Sequence, residues 1–277
     1  MNSIKTIFNE WIKQEEQSKL STTSITNYTT TANNINFKIF GGQPTIIKKL
    51  REQYDNPNTR ATFLNMIIIL RRYKDYDIDK LITYRNNMKL EIKDLRNEKL
   101  LISKNELPTM DYLESQLKNL VGLKYIINYL FITYGFRNGD INLKYVKELP
   151  KDKIENYIYF TNKKLKLSIN RYKTNKVYGE KIYVIGDKPF IKEFKKLDLQ
   201  DGDYLIQNSN NKKYSVSNFN DLVLKLSIDQ LGEARLFKCI VRDLLEKKNY
   251  EELDKYSLSR GTSMGTIMKS YNVYNSK

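Results

Sequence analysis

A chain of 277 residues carrying 48 Lys and Arg against 32 Asp and Glu has a formal charge of +16. That surplus attracts polyanions, so nucleic acid is the default partner, and the length suffices for a sizeable core and two domains. With no histidine and one cysteine, Cys239, the composition excludes an internal disulfide, a zinc site and every mechanism that turns on imidazole, the Ser-His-Asp triad included.

The longest apolar run, Met66 to Leu70, is too short to span a bilayer, and no amphipathic stretch with a Lys/Arg face stands out. Met1 to Glu16 carries Glu10, Glu15 and Glu16 and reads as neither a signal peptide nor a transit peptide. The expectation is a soluble, intracellular protein without a membrane partner. Ile4, Ile7, Phe8 and Trp11 recur at helical spacing, with Phe8 and Trp11 as core residues. A second amphipathic segment opens at Ser24 to Tyr28, and a third runs from Thr59 to Tyr73 around Phe63, Met66, Ile67 and Leu70. Gly41-Gly42 and Asn56-Pro57-Asn58 separate them. From Arg96 to Pro108 the apolar pattern thins, which predicts a linker.

After Pro108 one long helix is expected from Met110 to Tyr134, with Gly135 at its C-cap. Tyr157 to Phe160, Leu165 to Tyr172 and Lys181 to Ile185 are β-branched and aromatic, and predict three short antiparallel strands. Asn162 to Lys164 and Thr174 to Lys176 supply the turns. Helices resume at Pro189 to Lys196 and Ser215 to Ser227. The stripe Leu236, Phe237, Ile240, Val241, Leu244 and Leu245 marks another, with Arg235 at its front end and Cys239 as an inert core thiol. Ser263 is the expected N-cap of the last helix. The fold class read from this order is mainly α with a small antiparallel β-sheet.

Four short motifs in this order resemble the catalytic domain of the tyrosine recombinases and integrases. Gly135-Phe136-Arg137, with Asp140 three positions on, looks like the segment holding that family's first catalytic arginine. Lys173 in Lys173-Thr174-Asn175-Lys176 is in register with the family's hairpin lysine, and Lys176 is the alternate. Gly232-Glu233-Ala234-Arg235 stands where the family has a histidine, two residues and the second arginine. Finally, Gly261-Thr262 precedes Tyr271, which lies nine positions after Thr262 as the family's nucleophile lies after a histidine or tryptophan. Tyr274 is a competitor for that role. Both histidine positions are vacant here, occupied by Gly232 and Thr262.

The resemblance implies a helical, SAM-like core-binding domain over residues 1–104 and an α+β catalytic domain over 105–277, together clamping double-stranded DNA. Tyr271 would attack a phosphodiester and hold a 3′-phosphotyrosyl link, without metal, ATP or other cofactor, in a homotetramer on two DNA sites. Such chemistry needs an in-line nucleophile, donors on the nonbridging oxygens and an acid for the departing 5′ oxygen. Arg137 and Arg235 suit the second role, since guanidinium forks match phosphate bidentately, and Lys173 suits the third. The four residues are expected around one phosphate-sized pocket. A phenol stays protonated at neutral pH, so the attack of Tyr271 needs help that no imidazole supplies here. Glu233 or a water could stand in. Alternatively the protein is a catalytically degenerate DNA-binding relative, or a strand transferase like a topoisomerase or telomere resolvase. Thr262 is equally a phosphate-binding hydroxyl or a plain turn residue. Because nine residues of unbroken helix would set Thr262 and Tyr271 half a turn out of phase, a bend between them is required. The Asn, Lys, Ile and Tyr usage fits an AT-rich mobile element or virus.

Overall fold

The computed structural model describes residues 4–15, 22–208, 210 and 212–272, and the chain divides into two compact units, Met1–Lys99 and Leu100–Lys277. It is mainly helical with one small sheet, the fold class expected.

In the first unit α1 (Ile4–Glu15) buries Ile7, Phe8 and Trp11, as their spacing predicts. Burying each large side chain is worth roughly 1.5–3 kcal/mol. The Trp11 ring lies 5.8 Å from that of Tyr28 on α2 (Thr22–Asn33). Next come α3 (Gln43–Gln53) and α4 (Pro57–Tyr73). α4 opens on Asn56, whose side chain accepts the Asn58 N–H at 2.9 Å, and Pro57 sits where its missing N–H costs nothing. Arg71 is buried, and its guanidinium donates to the carbonyls of Ile39 (2.6 Å), Gly41 (2.9 Å) and Asp77 (2.8 Å). The linker expected at Arg96 to Pro108 is instead the end of α5 (Asp79–Glu106). No glycine or proline interrupts the chain between Asp79 and Leu107, so a thin apolar stripe does not stop the helix.

In the second unit the long helix expected from Met110 to Tyr134 is two, α6 (Met110–Lys118) and α7 (Gly122–Tyr134). They part where the Gly122 N–H is drawn to the Glu193 carboxylate at 2.7 Å, a partner 71 residues away. The sheet has order β1-β2-β3-β4, with β1 (Leu143–Tyr145), β2 (Asn156–Thr161), β3 (Lys164–Ile169) and β4 (Lys181–Ile185). The three expected strands are β2, β3 and β4, antiparallel as predicted, but β1 pairs parallel to β2 and makes the sheet mixed. At three residues β1 is too short to show an alternation. β3 stops at Ile169 rather than Tyr172 because the Asn156 side-chain oxygen takes the N–H groups of Asn170 (2.8 Å) and Arg171 (2.6 Å) from the ladder. The turn expected at Thr174 to Lys176 opens the helical turn α8 (Asn175–Tyr178).

α9 (Lys188–Lys195), α10 (Val216–Leu226) and α11 (Gly232–Glu246) fall where expected. The amphipathic face of α11 buries Leu236, Phe237, Cys239, Ile240 and Val241, and burial pushes the Cys239 thiol up to about 11, consistent with an inert core residue. α12 (Tyr250–Arg260) escapes sequence reading because its buried face is Leu253, Ser257 and Arg260, not an apolar stripe. α13 (Met264–Ser270) is capped by Ser263, which accepts the Thr266 N–H at 3.2 Å. Among the described residues no helix is long and apolar enough to cross a membrane.

Candidate active site

The site is assembled where the ends of α7 and α12 meet. Gly135 closes α7 in the left-handed region, φ +63°, and a Cβ there would lie 2.8 Å from Tyr256. The tail of α12 is lashed to this corner: Tyr256 Oη donates to Ile132 O (2.7 Å), Ser259 Oγ to Tyr134 O (2.5 Å) and Arg260 Nη1 to Gly135 O (2.8 Å). Beyond Gly135 a tight turn carries Arg137, whose N–H donates to the Asp140 carboxylate at 2.8 Å. Asp140 is thus a buried brace of the Arg137 turn. Burial raises its carboxyl above the usual range, against the pull of the Arg137 N–H and of the Arg137 and Arg260 charges. Asn156 ties this turn to the chain leading to Lys173, its Nδ2 donating to Asp140 O and Arg171 O, each at 3.2 Å.

The segment from Tyr172 to Lys181 is clamped onto the corner between α12 and α13. Thr174 Oγ1 donates to Gly261 O at 2.6 Å, and Lys181 Nζ donates to the carbonyls of Leu258 (2.6 Å) and Ser259 (3.0 Å). The Lys181 ammonium also lies 4.1 Å from the centre of the Tyr172 ring. Gly261 makes this contact possible: it sits at φ +56°, and a Cβ would overlap Thr174 Oγ1 and come within 2.8 Å of Tyr172. Gly261→Ala therefore combines a left-handed side chain with overpacking, and a loss of roughly 2–4 kcal/mol is expected in denaturant unfolding.

Lys181 is half buried, and that burial, with the Arg137 charge, lowers its ammonium to about 8 although Asp140 pulls the other way. Between pH 8 and the ordinary lysine value of 10.5 the unfolded chain holds a proton that folded Lys181 has released, so this residue makes stability rise with pH across that window. Unfolding of Lys181→Met, compared with the unmutated chain from pH 7 to 10.5, is expected to lack that rise; parallel curves would show that the ammonium is not destabilised.

Arg137, Lys173, Thr262 and Tyr271 line one open cavity of about 490 Å³, with Thr174 and Ser270 in the same wall. The chain bends between Thr262 and Tyr271 as their phase requires: Thr262 closes the turn after α12, its N–H donating to Ser257 O at 2.9 Å, and α13 begins two residues on. Tyr271 ends α13 with its ring edge-on to Phe237, centroids 4.8 Å apart. Its hydroxyl accepts from Arg260 Nη2 at 3.2 Å, and that nitrogen also reaches Glu233 Oε2 at 3.2 Å. The loop is completed by Arg137 Nη1, which donates to the carbonyl of Arg260.

Arg235 corrects the expectation of four residues around one pocket. It does not line the cavity; its side chain is 46% exposed and lies 3.8 Å from Glu106. Two residues along a helix turn the side chain by about 200°. Glu233 and Phe237, four apart on α11, face Arg260 and Tyr271, which sends Arg235 to the other side. Gly232 supplies no side chain and serves as the first residue of α11, its N–H donating to Ser227 Oγ at 2.9 Å. Lys176, on α8, is absent from the cavity wall. Tyr274 lies outside the described residues.

Sequence reasoning missed Arg260, Thr174, Lys181 and Asn156. Their signal is weak because each acts through a backbone carbonyl or a partner far along the chain. A larger hollow of about 760 Å³, lined by Leu117, Tyr125, Tyr129 and Pro189, lies apart from these residues. There Tyr125 Oη is bonded to Asp187 at 3.2 Å and the Glu193 carboxylate accepts the Gly122 N–H at 2.7 Å. Among the described residues no cluster of three or more Asp, Glu and Cys could hold a metal ion.

No family model matches the chain, and no curated protein matches it. A solved structure that it resembles is the crystal structure of XerA recombinase, at 15% identity and a TM-score of 0.36, over 98% of this chain and 94% of that one. A likeness of that strength establishes neither fold nor activity.

Proposed function

We propose that this protein breaks and rejoins DNA strands through Tyr271, as a divergent tyrosine recombinase. The observation that carries the reading is the shared cavity of Arg137, Lys173, Thr262 and Tyr271, on a chain of charge +16. The Tyr271 oxygen attacks phosphorus and forms the phosphotyrosyl bond as the bond from phosphorus to the 5′ oxygen breaks. The phenol proton passes to water in the open cavity, and the Lys173 ammonium protonates the departing 5′ oxygen. Arg137 and the Thr262 hydroxyl donate to the nonbridging oxygens, where charge develops. Rejoining runs the same steps backwards, so no energy source is consumed. The helical first unit serves in this reading as a second DNA-binding surface, and assembly into a homotetramer on two sites belongs to the same proposal. Sedimentation of the DNA complex tests the latter.

A second reading has its own support. Arg235 lies off the cavity and no imidazole exists in the chain, which fits a relative that binds DNA without cutting it. Incubation with a randomised pool of nicked suicide duplexes separates the two. A detergent-resistant adduct whose tryptic peptide carries nucleotide on Tyr271 is expected. Binding of the pool with no adduct overturns the cleavage reading in favour of the binding module.

A further inference from the structure

Arg260 has the lowest exposure of any charged side chain among the described residues, 1%, and its guanidinium is packed 4.1 Å from the centre of the Phe237 ring and 5.2 Å from that of Tyr271. A cation taken out of water costs several kcal/mol unless it is paired and hydrogen-bonded. Buried Arg71 meets that cost with backbone carbonyls. Arg260 spends one nitrogen in that way, on Gly135 O at 2.8 Å, and directs the other, Nη2, at a carboxylate and a phenol, Glu233 Oε2 and Tyr271 Oη, each at 3.2 Å. Its Nε is buried with no hydrogen-bond partner. Packing alone does not call for this arrangement, since an apolar side chain would fill the space beside Phe237 without the desolvation penalty.

We propose that Arg260 is a catalytic residue acting on the Tyr271 oxygen in place of the absent imidazole, and that Glu233 is the positioning residue that aims it. The inference rests on the reading of Tyr271 as the nucleophile. A donated N–H fixes the direction of the hydroxyl, and the guanidinium supplies a permanent positive charge beside the oxygen as it gives up its proton and bonds to phosphorus. Arginine cannot take that proton, so it leaves to water, and the help Arg260 provides is electrostatic and orientational, not general-base catalysis. The corner at Gly261 sets the geometry, because it folds the last residue of α12 back against the end of α13 eleven positions later. Glu233 reaches the same nitrogen from the first turn of α11, on the face opposite Arg235. With the guanidinium buried behind the tyrosine, it does not itself bind the phosphate. That role stays with residues of the cavity wall.

The test compares single-turnover adduct formation and DNA affinity for the unmutated protein, Arg260→Lys, Arg260→Ala with and without methylguanidine, and Glu233→Gln, on the nicked duplex pool. Arg260→Ala is expected to slow adduct formation by about a hundredfold to a thousandfold, the usual effect of removing one preorganised donor, with DNA affinity unchanged. Methylguanidine restores the rate, because truncation leaves a hole of its own shape, and Arg260→Lys and Glu233→Gln fall between. Should Arg260→Ala fail to fold by circular dichroism, the lysine and glutamine variants still decide. Wild-type rates in folded Arg260→Lys and Glu233→Gln, with an adduct present on Tyr271, overturn this inference and leave the proposed function standing. No adduct from the unmutated protein removes both.

Discussion

Tyr271→Phe is expected to abolish the detergent-resistant adduct of the proposed reaction while DNA affinity stays nearly unchanged. The phenol oxygen is the atom that would be bonded to phosphorus, and the other tyrosine that lines this cavity with Arg137 and Lys173 is Tyr178, on the exposed helical turn α8. The ring of Tyr271 still packs edge-on against Phe237 in the variant, and Arg260 keeps its bonds to Gly135 O and Glu233, so the corner survives. Loss of one hydrogen bond at this oxygen is worth about 0.5–1.5 kcal/mol of stability, a small shift in a denaturant melt. An adduct that persists in Tyr271→Phe and maps to Tyr178 or Tyr274 would sink the assignment of the nucleophile and leave the reaction class intact.

Arg137→Ala is expected to slow adduct formation by about a hundredfold to a thousandfold, whereas Arg235→Ala is expected to leave the rate close to that of the unmutated protein. The contrast follows from position. Arg137 is held in the cavity wall by the Asp140 brace on its own N–H and by the Arg260 carbonyl on its guanidinium, so its donors are preorganised without any ligand present. Arg235 is half exposed, with a long surface contact to Glu106, and such pairs contribute about 0–1 kcal/mol. Arg137→Lys separates charge from shape: a lysine keeps the positive charge and loses the bidentate fork, so partial activity is expected. Single-turnover rates on one captured duplex measure all three. Equal losses in Arg137→Ala and Arg235→Ala would mean that α11 turns when DNA binds and that both arginines grip the phosphate.

Much of this protein was legible in its sequence where local rules act on neighbouring residues. Periodic apolar positions marked α1, α4 and α11, the alternation of β-branched and aromatic residues marked β2 to β4, and Gly135 and Ser263 marked helix ends, because a left-handed glycine and a capping hydroxyl act within one turn of chain. Composition alone removed imidazole and zinc chemistry. The resemblance of its short motifs to those of the tyrosine recombinases singled out Arg137, Lys173 and Tyr271, three residues that come to share one cavity. What the sequence did not determine depends on partners far along the chain. The break between α6 and α7 is set by Glu193, the end of β3 by Asn156, and the parallel pairing of β1 by a register that three residues do not reveal. The face taken by Arg235 was decided by helix phase, because the packing of Phe237 against Tyr271 rotates α11 so that Glu233 looks inward. Arg260 became visible only in three dimensions, since its contacts with Gly135, Glu233 and Tyr271 join four segments that no local pattern connects. Short-range propensity wrote the elements, and the desolvation and hydrogen-bonding demands of buried polar groups decided how their ends meet.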